Sequence, residues 1–127
     1  MIEHLDHLVL TVNDIEISTQ FYAQVLDMEI ITFNGNRKAL KFGKQKINLH
    51  LKGNEFEPNA INPIPGSADL CFITKMPLSD VIDKLSFQKI SIEEGPVKRT
   101  GACGEIISVY FRDPDKNLIE VSNYVQS

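Results

Sequence analysis

Positive charge is scarce in this chain. Thirteen Lys and Arg stand against seventeen Asp and Glu in 127 residues, a formal net charge of −4. The cations are dispersed, so the basic patch that a nucleic-acid footprint needs is missing. Cysteine is nearly absent too. Cys71 and Cys103 offer neither zinc-ligand spacing nor a disulfide framework, which fits a reducing, cytoplasmic setting. No apolar run approaches the roughly 20 residues of a membrane-spanning helix. The opening MIEHLDHLVL carries acids where a signal peptide would carry a basic stretch. Low-complexity tracts are missing as well. What remains is a chain of one-domain length, 43% hydrophobic and 24% charged, long enough to bury a core.

Its organisation is a repeat. HLDHLVLTV (4–12) alternates apolar and polar residues, as a half-buried strand does. Asn13 or Asp14 is placed to cap a helix through IEISTQFYAQVLD, where Ile15, Phe21, Tyr22, Val25 and Leu26 fall at helical spacing. MEIITF (28–33), KALKF (38–42) and KINLHLK (46–52) read as strands separated by Gly-containing turns. Residues 53–65 hold three prolines and read as a loop. The pattern then restarts: SADLCFIT (67–74) as a strand, Pro77 opening a helix, and KISIEEGPV, EIISVYFR and NLIEVSNY as strands. The fold class predicted is α+β, with two βαβββ modules (about 4–52 and 67–124) forming a single domain.

Aligning the halves by sequence sets His7 opposite Asp69 and His50 opposite Glu120. Successive side chains of a strand point to opposite faces. Leu8, Leu10, Val12, Ile47, Leu49, Leu51, Leu70, Phe72, Ile119 and Val121 therefore belong to an apolar face, which must meet the helices. His7, Thr11, Asn48, His50, Asp69, Cys71, Glu120 and Ser122 share the other. Two imidazoles and two carboxylates at matching places in a duplicated unit suit a divalent metal (zinc, nickel, iron, manganese or cobalt). His4 lies outside this set and reads as a surface residue, and Cys71 reads as lining of the same face.

These stretches resemble the vicinal oxygen chelate superfamily, which includes glyoxalase I, fosfomycin-resistance transferases, extradiol dioxygenases and bleomycin-binding proteins. The resemblance is carried by LDHLVLTVNDIEISTQFYAQVLDMEI, GPVKRTGACGE and VYFRDPDKNLIEVSNY, and spans nearly the whole chain. It implies paired βαβββ sheets curled around a metal held by His7, His50, Glu120 and Asp69. The ion would chelate neighbouring oxygens of a small-molecule substrate, with Glu120 or Asp69 as catalytic base. Arg99 and Thr100, in a Gly-rich loop, would grip an anionic part of the substrate. A glyoxalase-like lyase or isomerase is the first expectation. An iron(II) extradiol dioxygenase and a metal-free antibiotic-binding protein of the bleomycin type are the alternatives. Relatives of this kind exchange halves between chains, so a homodimer with shared sites is expected. The turn DPDKN places Lys116 where the family usually has Gly, which implies a left-handed backbone there.

Overall fold

Asp14 starts the first helix as its side chain permits: the carboxylate accepts the Ile17 N–H at 2.9 Å, satisfying one of the donors a helix N-terminus leaves open. That helix, α1 (Ile15–Leu26), follows β1 (His7–Val12) and precedes β2 (Glu29–Phe33), β3 (Arg37–Phe42) and β4 (Gln45–Leu51). The strands form one sheet in the order β1-β4-β3-β2. β1 runs parallel to β4 and the other pairs are antiparallel. Tyr22 and Val25 of the helix are buried with Leu10, Val12, Leu40, Ile47 and Leu49. These β1 and β4 residues are the apolar parity expected. The computed structural model describes residues 1–125, and this first compact unit spans Met1–Ser67.

The second unit begins at Ala68. It repeats the plan with β5 (Asp69–Ile73), α2 (Leu78–Phe87), β6 (Glu94–Gly101), β7 (Gly104–Arg112) and β8 (Leu118–Tyr124), in the order β5-β8-β7-β6. Pro77 occupies the N-cap of α2 and supplies no side-chain bond. Asn123 of β8 supplies it instead: its Oδ1 accepts the Leu78 N–H at 2.8 Å, and its Nδ2 donates to the carbonyls of Thr74 and Met76. Val81 and Leu85 are buried along with Val109, Phe111, Ile119 and Val121.

One expected strand is displaced. The run 89–97 is not a strand from its start; β6 covers residues 94–101. Arg99 and Thr100 therefore stand on a strand rather than in a loop. The reversal falls at Gly101–Gly104, so antiparallel pairing runs back through Thr100↔Glu105 and Arg99↔Ile106 to Val97↔Ser108. A bulge follows between Val97 and Glu94. Gly95 lies within it at φ +113, and a Cβ there would meet the backbone of Ser108 and Val109, the latter at 2.9 Å, so only glycine fits.

Candidate functional site

Glu120 sits on β8 between buried Ile119 and Val121, and its own side chain points to the opposite, polar face. In register, Cys71 of β5 lies on one side of it and Tyr110 of β7 on the other. Ser108 Oγ donates to Glu120 Oε2 at 2.6 Å. Because that proton is committed, Ser122 Oγ, 2.6 Å from Ser108 Oγ, is the donor in the second bond. Cys71 Sγ stands 3.4 Å from Ser122 Oγ, and burial, ahead of every other influence, pushes its thiol pKa up. The Tyr110 hydroxyl accepts from Arg99 Nε at 3.0 Å, and Tyr110 faces Glu120 across the β7–β8 ladder. Desolvation, followed by the Glu120 charge, raises the Tyr110 pKa against the opposing effect of Arg99.

Arg99 is itself held. Its second nitrogen bonds Glu94 Oε1 at 3.1 Å and its third the Lys98 carbonyl. Two hydrogen-bonded groups, Glu94–Arg99–Tyr110 and Glu120–Ser108–Ser122, thus meet where Tyr110 pairs with Glu120, in one polar row across this face. It borders a hollow of about 380 Å³ whose lining includes Cys71, Arg99, Thr100, Tyr110 and Glu120. Asp69 is exposed at the start of β5, on the same face as Cys71.

In the first unit His7 is exposed at the start of β1, and its Nδ1 is 2.8 Å from Asp6 Oδ2. That bond fixes the ring and leaves Nε2 as the nitrogen available to a ligand, an arrangement common for metal-binding histidines. His50 is only 3% exposed and its Nδ1 has no hydrogen-bond partner. Burial, then the nearby Arg37 charge, lowers its pKa, so the neutral imidazole is favoured.

The strand registers revise the alignment of the two halves. His7 faces Lys46, and Asn48, two residues on, faces Val9. Asp69 faces Leu118, and Glu120, two residues on, faces Cys71. With His7 set upon Asp69, the counterpart of Glu120 is Asn48, flanked by buried Ile47 and Leu49 as Glu120 is by Ile119 and Val121. His50 corresponds to Ser122. Sequence comparison misses this because a two-residue slip along a strand preserves the alternation of faces.

Within neither unit do three His, Cys, Asp or Glu side chains among the described residues gather as a metal group. The donors themselves suit a borderline divalent ion: an imidazole nitrogen left free by Asp6, and a Glu120 carboxylate already oriented by hydroxyls. Ser108, Tyr110 and Arg37 escaped notice in the sequence as site residues, although the parity of SVYFR already sets Ser108 and Tyr110 opposite Val109 and Phe111.

Residues 4–121 match the profile of the Glyoxalase/Bleomycin resistance protein/Dioxygenase superfamily. Virulence protein STM3117 of Salmonella typhimurium is 60% identical over 98% of this chain and 87% of its own length. Its crystal structure superposes with a TM-score of 0.97, covering 98% of this chain and 99% of that one. Glyoxalase domain-containing protein RDO1 of Mycosarcoma maydis is 53% identical over 97% of this chain and 69% of its own. A lactoylglutathione lyase from Agrobacterium tumefaciens shares 25% identity, with a TM-score of 0.72 over 95% of this chain and 93% of that one. With its two βαβββ units and a matching profile over nearly its whole length, this chain belongs to the glyoxalase/bleomycin resistance protein/dioxygenase superfamily.

Proposed function

We propose that the protein is a divalent-metal-dependent enzyme of glyoxalase type, a lyase or isomerase acting on a small metabolite with two neighbouring oxygens. The observation that carries this reading is Glu120: a carboxylate on a polar sheet face, oriented by the Ser108 hydroxyl at the edge of a hollow. Three residues are assigned to the ion, His7 through Nε2, Asp69 and Glu120. His50 is assigned to the substrate side, because the register sets it two residues past Asn48, the counterpart of Glu120. Kinship with a lactoylglutathione lyase supports the reaction class.

A bound divalent ion would supply Lewis acidity toward the substrate oxygens. Glu120 accepts a proton from the carbon beside a carbonyl, with Ser108 keeping its carboxylate aimed. Arg99 spends three of its five N–H groups on Tyr110, Glu94 and the Lys98 carbonyl, and the other two, with Thr100 at the rim of the hollow, are left to contact an anionic part of the substrate. The same reading includes a homodimer in which His7 of one chain and Glu120 of the other serve one ion.

Chelator competition on purified protein tests the assignment. His7→Ala and Glu120→Gln are each expected to weaken metal affinity by about 10- to 100-fold while leaving the fold intact. If both variants hold metal as tightly as the parent, the ligand assignment is wrong.

A further inference from the structure

Three polar atoms of the first unit are buried without a hydrogen-bond partner: Arg37 Nε, Asn48 Oδ1 and His50 Nδ1. They belong to one patch. Asn48 and His50 alternate along β4 and share a face. Ala39 of β3 faces Asn48, so Arg37, two residues earlier in an antiparallel strand, falls beside His50. Phe33 of β2 faces Arg37 in turn. The Arg37 guanidinium lies 5.2 Å from the Phe33 ring centroid and 4.2 Å from that of Phe56. The His50 ring meets Phe56 edge to face at 5.5 Å. Contacts with two aromatic rings hold the guanidinium in place and leave its in-plane N–H edge to do the bonding.

Leaving a buried donor or acceptor unpaired is unfavourable, and the fold does not demand it here. The corresponding row of the second unit holds Ser108 and Ser122, which are equally buried and bond each other at 2.6 Å. The first unit has large polar groups at those places and satisfies neither of these atoms internally. Lys46 adds a further cation, its Nζ 4.0 Å from the Phe33 ring centroid. The nearby Glu55 carboxylate is occupied by the Gly53 N–H at 2.8 Å.

We infer that Arg37, Asn48 and His50 form a subsite for a small hydroxycarboxylate. The Arg37 Nε–H and the His50 Nδ1–H of the neutral ring donate to the carboxylate, and the ligand hydroxyl donates to Asn48 Oδ1. Two donors and one acceptor match a carboxylate with an adjacent hydroxyl better than either group alone. Phe56, 41% exposed and outside any helix or strand, stands over the Arg37 guanidinium and the His50 ring and borders the subsite. The inference rests on the enzyme reading above and names its substrate class.

The test uses the full metal-free chain, with lactate, propionate (no hydroxyl) and 1,2-propanediol (no carboxylate) as probes. Arginine Nε–H signals are followed by NMR and affinities by calorimetry. Lactate is expected to shift the Arg37 Nε–H and His50 resonances saturably, propionate to bind more weakly, and propanediol not to bind. Arg37→Gln and Asn48→Leu should each weaken lactate by about tenfold or more, with Arg37→Lys as the variant that keeps charge without the planar edge. Asp83→Asn, exposed on α2 of the second unit, should bind lactate as the parent does. Three outcomes overturn the inference: no saturable lactate binding, undiminished binding by Arg37→Gln and Arg37→Lys, or propanediol binding as tightly as lactate. A protein that binds lactate this way yet fails the metal competition refutes the metal reading and leaves the subsite standing.

Discussion

Asn117 ties the turn before the Glu120 strand to the start of β5, and its removal has a calculable effect. The side chain is 1% exposed. Its Oδ1 accepts the Ala68 N–H at 2.9 Å and its Nδ2 donates to Asp113 Oδ2 at 2.8 Å. Asp113, 5% exposed, also receives the backbone N–H groups of Asp115 and Asn117 on Oδ1. Asn117→Ala removes one neutral bond of about 1 kcal/mol and one bond to a carboxylate of about 2 kcal/mol, for a total near 3 kcal/mol. At this chain length that corresponds to a melting temperature lower by about 10 °C. Urea unfolding followed by circular dichroism measures it. Asn117→Asp is the informative control, because it keeps the acceptor for Ala68 but sets a second carboxylate against Asp113. Its deficit should be at least as large at neutral pH and should shrink on acidification, as one of the pair takes a proton. A cost below about 0.5 kcal/mol for Asn117→Ala, or an Asn117→Asp protein as stable as the parent at pH 7, would refute this account of the turn.

Lys116 adopts φ +70 in the same turn, so Lys116→Gly is expected to raise stability by up to about 1 kcal/mol in the same urea assay. The His50 pKa is lowered in the folded chain by burial and by Arg37, so the unfolded chain binds that proton more readily. Its contribution to stability is full above the unfolded value of about 6.5 and declines as pH falls from there toward the folded value. Metal-free parent should thus lose stability on acidification below pH 6.5 more steeply than His50→Gln, and parallel pH profiles would contradict this. If sites are shared in a homodimer, His7→Ala and Glu120→Gln proteins mixed after partial unfolding should regain tight metal binding, because one site of each mixed dimer carries neither lesion. Strictly monomeric behaviour in sedimentation, or no recovery on mixing, would count against sharing.

Much of the architecture was legible in the residues themselves. Alternation in DHLVLTV and NLIEVSNY, helical spacing after Asp14, and the Pro-rich stretch between repeats are local signals, and each maps onto an element within a few residues. The left-handed Lys116 was legible too, because turn chemistry is local. Glu120 stood out for the same reason: strand parity sets it opposite Ile119 and Val121. What only the tertiary structure decided was register. Nothing local states which residue of β1 faces which residue of β4, so sequence set His50 against Glu120, whereas the ladders set Asn48 there. The extent of β6 was decided the same way, by pairing with β7 and the glycine-dependent approach at Gly95. That pairing moved Arg99 from an assumed loop to a strand, beside the Tyr110 hydroxyl. The partnerless atoms of Arg37, Asn48 and His50 belong to the same class, since whether a polar atom finds a partner depends on which strands come to lie side by side.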